Sequence, residues 1–157
     1  MANVPIRQIF GTAQTVFDMA SDIASANFSA AGTTFDNTTD AAVPYATHAV
    51  VMAEFPDWAA APTAGSVVEL WGVLIDTDGT DDDTDAPSGT ASNGARYFGT
   101  FVLDDADALQ RRTITISLEG VQKFAPYLRN LSGQNMNNDG GTNCVVKITP
   151  FAYGVNV

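Results

Sequence analysis

The chain has 157 residues and a hydrophobic fraction of 45%, which suits one domain with a single core and argues against a wholly disordered chain. Eighteen Asp and Glu residues against seven Lys and Arg give a formal net charge of −11. Because this field repels phosphates and anionic lipid headgroups, the sequence predicts no binding to nucleic acid and none to membranes.

Residues 1–12 predict an N-terminal arm or edge strand, and residues 13–157 predict a single β-sandwich domain. The opening segment lacks the apolar core of a signal peptide, so we expect synthesis in a host cytoplasm without secretion. Residues 14–22 mix helical spacing with β-prone side chains, and we interpret them as a strand. Residues 28–40 combine four Thr residues with Gly, Asn and Ser and predict short strands and turns.

The most apolar strands are predicted in the middle of the chain. Residues 48–55 have two partly apolar faces and end at a Pro-Asp-Trp break. Residues 66–76 are apolar on both alternating faces, so they predict a central strand covered on each side by a packed sheet or a neighbouring subunit. We therefore expect Trp71 in the core.

The second half of the chain predicts four more strands. Residues 96–104 alternate, with Tyr97, Gly99 and Phe101 on one face and Phe98, Thr100 and Val102 on the other. Residues 111–120 give the cleanest period of two in the chain. Residues 121–131 form a strand if Pro126 stands at its start. Residues 144–153 close the domain.

About eight strands of five to ten residues, separated by turn signals, predict an all-β fold. The expected architecture is an antiparallel β-sandwich that is jelly-roll-like. The apolar phases of the best strands supply the expected core: Val68, Leu70, Trp71, Val73, Ile75, Phe101, Ile114, Ile116, Leu118, Val146 and Ile148.

An Asp-rich loop follows the central strand and is the candidate metal site. Asp76, Asp78, Asp81 and Asp83 recur around Gly79, which can adopt the positive φ that a tight calcium-binding turn needs. The twelve-residue calcium-loop pattern is incomplete, because no Glu stands at its last position. The alternative is a solvated loop that is extended by repulsion between its carboxylates.

The sequence predicts no enzyme and no resident cofactor, apart from the possible calcium. His48 is the sole histidine and lies in an apolar strand, where a packed residue is more common than a general base. There is no Gly-x-Ser-x-Gly elbow. The single cysteine, Cys144, alternates with Val146 and Ile148 and is expected to be a buried thiol.

Four aromatic residues suggest a surface for stacking on sugars: Tyr45, Trp58, Trp71 and Tyr97. Trp71 lies in the most apolar strand and fits the core better. Trp58 follows the Pro-Asp break, so it is expected to be exposed or to anchor a protein interface, since aromatic residues are enriched at such contacts.

Three segments carry a resemblance to a known class of proteins. They are Gly-Ala-Arg-Tyr-Phe-Gly-Thr-Phe (94–101), Pro-Tyr-Leu-Arg-Asn-Leu-Ser-Gly-Gln (126–134) and Val-Lys-Ile-Thr-Pro-Phe-Ala-Tyr (146–153). With its small size and acidic, β-rich character, the chain resembles the jelly-roll decoration, or cement, proteins of tailed bacteriophages. The resemblance implies a virion structural protein on the capsid exterior, often a trimer, bound to the major capsid protein or another virion protein. No residue role follows from it.

Two functions therefore remain open. The first is a phage structural protein that forms a homotrimer and docks on a protein shell. Its expected contacts are Ile6, Ile9, Phe10, Trp58, Phe151 and Tyr153, because a lone chain of this length has limited room to cover so much apolar surface. The second is a carbohydrate-binding or receptor-binding module, with calcium in the Asp-rich loop and Trp58 on the sugar platform.

Overall fold

A computed structural model describes residues 6–56, 58–75, 85–136 and 143–155. The described residues form nine strands: β1 (Ile6–Phe10), β2 (Gln14–Met19), β3 (Phe35–Asp36), β4 (His48–Phe55), β5 (Val67–Ile75), β6 (Arg96–Val102), β7 (Gln110–Ser117), β8 (Lys123–Leu131) and β9 (Cys144–Val155). Within these described ranges there is no helix, and so none long and apolar enough to cross a membrane. The all-β prediction is confirmed.

The strands form two antiparallel sheets that pack face to face. The first sheet has the order β1-β9-β4-β7, with β2 also paired to β9, and the second has the order β3-β8-β5-β6. The pairs β2–β9, β3–β8, β4–β7 and β5–β6 are nested inside one another along the chain. A long hairpin that is rolled up in this way is a jelly roll, so the structure confirms the expected sandwich. Strand β1 is an addition at the edge of the first sheet.

Alternating side chains build the core between the sheets. In β4, every second residue from Ala49 to Phe55 is buried, and Ile116 of β7 and Ile148 of β9 lie on the same inner face. The second sheet contributes Val68 and Leu70 from β5, among others. The outer face of β7 is polar and exposed, as expected for a sheet with one buried face, with Thr113, Thr115 and Ser117 pointing outward.

The central position of β5 is also as predicted, since it lies between β8 and β6. On its inner face, a Cβ atom added to Gly72 would lie 2.5 Å from Phe124 Cδ2 and 2.8 Å from Phe98 Cε2. The missing side chain therefore makes room for these two rings, which stack with their centroids 4.4 Å apart.

The outer face of β5 is apolar because it packs against a second, smaller hydrophobic cluster outside the sandwich core. Val73 is buried there in a second, smaller cluster with Phe28, Ala95 and Tyr127, and Trp71 packs against that cluster. Val73 is thus buried as predicted, although in this second cluster, whereas Trp71 and Ile75 are only partly buried, which corrects their assignment to the core. Phe28 and Ala95, which come from outside the sheet, provide part of the cover that the sequence predicts for this strand from a packed sheet or a subunit.

Pro126 lies in the middle of β8 and not at its start, which corrects the sequence prediction. Its carbonyl oxygen accepts a hydrogen bond from the Gly32 N–H at 2.8 Å, on the side of β8 that faces away from β5. Since the nitrogen and oxygen of one residue in an antiparallel strand point to the same side, the missing N–H costs no hydrogen bond to β5.

Two carboxylates connect β3 and the loop that follows it to other parts of the chain, Asp40 to Thr12 and Asp36 to Lys123 of β8. Asp40 accepts hydrogen bonds from the backbone N–H groups of Thr12, Ala42 and Val43, and the bond from Thr12 contributes most to lowering its pKa. Burial of Asp36 opposes its ionisation, but hydrogen bonds from Thr38 and the Lys123 ammonium outweigh burial and lower the pKa of Asp36.

We expect these two groups to make stability fall in acid. Their ordinary pKa, which applies to the unfolded chain, is 3.8, and folding depresses it. Their contribution is therefore complete between about pH 5 and pH 8 and is lost as the pH falls through the lower folded values. Urea midpoints measured from about pH 8 down to about pH 2 should decrease only below about pH 4. An Asp36→Asn, Asp40→Asn double variant should lose less stability on acidification, and an equal loss would contradict the assignment.

Candidate functional site

The first and last strands bring exposed apolar side chains together on the outer face of the first sheet. Phe10 pairs with Phe151 and Gln8 with Tyr153 across the β1–β9 ladder. Ile6 is 74% exposed, Phe10 51% and Tyr153 60%. We call this surface the terminal patch and define it by Ile6, Phe10, His48, Phe151 and Tyr153.

Aromatic contacts hold the terminal patch in one arrangement. The Phe151 ring lies 5.5 Å from the Phe10 ring, 5.5 Å from His48 and 5.7 Å from Tyr153, measured between centroids. These three rings cover Phe151, which is only 3% exposed although its position in β9 points to the outer face. Ile9 points the other way and packs against the core. Of the predicted contact residues, Ile6, Phe10 and Tyr153 are thus available to a partner.

His48 is a member of the terminal patch that the sequence analysis did not assign to it. Its ring stacks on Phe151 with an interplanar angle of 24°, and its Nδ1 lies 2.9 Å from the Thr47 hydroxyl. These neighbours position the imidazole as a packing group. The sequence shows that an aromatic ring stands at the start of β4. It does not show that His48 lies opposite Phe151, because that pairing depends on the register between β4 and β9.

Trp58 and Cys144 lie in the core. Trp58 is 3% exposed and packs on Phe55 with ring centroids 6.3 Å apart, so it is neither a surface anchor nor part of a sugar platform. This corrects the expectation that placed Trp58 at an interface.

Cys144 is fully buried, and burial raises the pKa of its thiol to about 12. A thiol with such a high pKa has almost no thiolate at neutral pH and is unreactive.

A second aromatic surface lies on the outer face of the second sheet. The Trp71 ring is 5.3 Å from Tyr97 and 5.8 Å from Phe28, both in edge-to-face geometry. Trp71 Nε1 donates a hydrogen bond of 2.9 Å to Glu69 Oε2, and the Tyr97 hydroxyl shares a short hydrogen bond with Thr100 Oγ1. We call this surface the Trp71 platform and define it by Glu69, Trp71, Tyr97, Thr100 and Arg129.

Arg129 completes the platform from the neighbouring strand. It pairs with Glu69 in the β5–β8 register, and its Nη1 lies 3.7 Å from Glu69 Oε2. The guanidinium stacks over Phe28 at 5.4 Å, and Nη2 donates to the Thr90 carbonyl at 3.4 Å. The stacking on Phe28 therefore fixes the position of the guanidinium, since its contacts with Glu69 and Thr90 are too long to be strong hydrogen bonds.

The loops beside β3 form a cleft of about 210 Å³ that Asn37, Tyr45, Leu118, Glu119 and Gln122 line in part. Asn37 Nδ2 donates to the Ala46 and Val121 carbonyls and so fixes the floor. Among the described residues, Asn37 Oδ1 and Gln122 Oε1 have no hydrogen-bond partner, and both atoms are covered from solvent. A ligand in the cleft would not reach them, so we assign the cleft no function.

The predicted calcium ligands Asp76, Asp78, Asp81 and Asp83 lie outside the described residues. In the parts of the chain that the structure describes, no three His, Cys, Asp or Glu side chains are grouped closely enough to hold a metal ion.

Comparisons with known proteins add no identification. No protein-family model matches the sequence, and a search of curated proteins finds no significant relative.

Proposed function

We propose that the protein is a structural component of a bacteriophage particle, a decoration protein that assembles as a homotrimer and binds the shell through its terminal patch. The exposed apolar side chains of Ile6, Phe10 and Tyr153, held together on one sheet, are the observation that carries this proposal. Contiguous apolar surface of this kind marks contact sites in soluble proteins.

The composition of the patch also suits a stable protein contact. Buried aromatic residues dominate the binding energy of protein interfaces, and rings that are already packed lose little conformational entropy when a partner covers them. Phe151 holds Phe10 and Tyr153 from beneath, so the exposed rings are ordered before binding. By analogy with viral capsid domains, which use the jelly roll, this topology is compatible with a structural function.

The test replaces the two exposed rings of the patch, using Phe10→Ser together with Tyr153→Ser. Each buried aromatic anchor is worth about 2 kcal/mol or more, so the double variant should bind about a thousandfold more weakly. A matched control is Val102→Ser with Leu109→Ser, because these side chains are 56% and 41% exposed and lie outside the terminal patch. Their loss should leave binding unchanged.

Two measurements separate assembly from docking. Light scattering on the purified protein reports the homotrimer, and quantitative mass spectrometry of phage particles whose genome encodes the chain reports its copy number. We expect many copies per particle for the wild type and the control, and few for the patch variant. Wild-type occupancy of the patch variant would show that the patch is not the contact. A wild-type protein that is monomeric and absent from particles would refute the structural function.

A further inference from the structure

We infer that the Trp71 platform is a binding site for neutral pyranose sugars, independent of the terminal patch. It differs from the sugar site that the sequence suggested, because Trp58 lies in the core and the residues that meet are Glu69, Trp71, Tyr97, Thr100 and Arg129.

The aromatic part of the platform offers an apolar surface beside polar groups. Tyr97 is 48% exposed, and its ring meets the partly buried Trp71 ring edge to face. One side of a pyranose ring presents C–H groups, which pack on such rings, while its hydroxyls extend toward the periphery. An aromatic residue that is packed on one side and open on the other gives this contact without a large cost in conformational entropy.

The polar part of the platform selects for a ligand that both donates and accepts hydrogen bonds. Glu69 can accept from a hydroxyl, and Arg129 can donate to one. The Glu69 carboxylate is oriented by Trp71 Nε1 at 2.9 Å, and the Arg129 guanidinium is positioned by its stacking on Phe28. The separation of 3.7 Å between Arg129 Nη1 and Glu69 Oε2 is too long for a direct hydrogen bond. Each group therefore keeps hydrogen-bonding capacity for a ligand.

The charges of the platform indicate a neutral ligand. Glu69 and Arg129 offset each other, so the site itself attracts neither a cation nor an anion, and the net charge of −11 repels anions from the whole protein. A neutral polyol satisfies both side chains without leaving a buried charge unpaired.

The backbone gives the platform its shape through a β-bulge. Leu70 pairs with Gly99 and Trp71 with Tyr97, so Phe98 is the extra residue in β6. The bulge turns Phe98 inward onto Phe124 and leaves Tyr97 on the outer face beside Trp71. Bulges reorient single side chains in this way, often next to functional sites.

The experiment is a fluorescence titration with maltotriose, cellotriose, triacetylchitotriose and lactose, with sialyllactose as the anionic comparison. The protein has two tryptophans, and Trp58 is 3% exposed, so a change in emission on binding reports Trp71. We expect saturable binding of at least one neutral sugar at millimolar concentration or below. Sialyllactose should bind no better than lactose.

Two variants and a matched control connect binding to the platform. Tyr97→Ala and Glu69→Gln should each weaken the affinity about tenfold, since one removes a stacking ring and the other a charged acceptor. Tyr45→Ala makes the same substitution at a tyrosine that is 62% exposed elsewhere, and it should leave the affinity unchanged. Thermal denaturation of all three verifies that they fold.

Several results would overturn the inference. They are no emission change with any neutral sugar, binding that survives Tyr97→Ala and Glu69→Gln, or preferred binding of sialyllactose. If no sugar binds but Tyr97→Ala abolishes self-association in light scattering, the platform is a protein contact instead. None of these outcomes depends on the terminal patch, which lies on the other sheet.

Discussion

Replacing Ile116 with Asp should prevent folding. Ile116 is 2% exposed in the core, where β7 pairs with β4 at Ala49. The substitution would bury a carboxylate without a partner, which costs several kcal/mol, against a total stability of about 5–15 kcal/mol for a domain. Circular dichroism of the purified variant should show loss of the β-sheet signal.

Thr115→Asp is the matched control, because the neighbouring residue lies exposed on the outer face of the same strand. The same carboxylate placed there stays hydrated, and the urea midpoint should change little. If Ile116→Asp were soluble with the wild-type melting temperature, the inner face of β7 would be assigned wrongly.

Phe124→Ala should have the second largest effect on stability. Phe124 is fully buried between Phe35, 5.4 Å away, and Phe98, 4.4 Å away. Removal of a large core ring costs about 3–5 kcal/mol when the surroundings cannot close the cavity, and Gly72, which faces the ring, has no side chain to fill it. We expect the melting temperature to fall by roughly 10 °C.

The control for Phe124→Ala is Phe10→Ala, the same substitution at a ring that is 51% exposed. Its cost should stay below about 1 kcal/mol, since little apolar surface is lost from the interior. If both variants melted at the same temperature, the stacked rings beside Gly72 would not form a close-packed core.

Much of the fold could be predicted because a buried face imposes a period of two. The bounds of β4 match the predicted 48–55, and β5 lies one residue inside each end of the predicted 66–76. Strand β7 begins one residue before the predicted 111–120 and ends three residues earlier than predicted. The failure at Pro126 has a simple reason. The prediction assumed that proline disrupts a strand interior, whereas the free side of β8 at that position needs no N–H donor.

The candidate sites were harder to predict because they depend on pairing between distant strands. Strict alternation placed Tyr97 with Phe101 and Phe98 with Thr100, but a single extra residue in β6 reverses this assignment for Tyr97 and Phe98. The contact of Glu69 with Arg129 likewise follows from strand register, which the sequence does not state. Trp58 was placed at the surface or at an interface because a turn signal precedes it, yet its ring packs on Phe55 in the core.

The nested strand pairing determines when the first sheet can form during synthesis. Strand β9 is the neighbour of β1, β2 and β4, and it is the last of the nine strands to leave the ribosome. Among the described strands, β1 and β2 pair only with β9, so until it emerges they have no partner strand and one edge of β4 remains open, whereas β5 and β6 can already pair. Since contacts between residues far apart in sequence close slowly, the nascent chain exposes unpaired apolar strands until synthesis of β9 is complete. Chaperone binding during translation would protect these edges, and the stage at which the chain is most prone to aggregate is just before β9 appears.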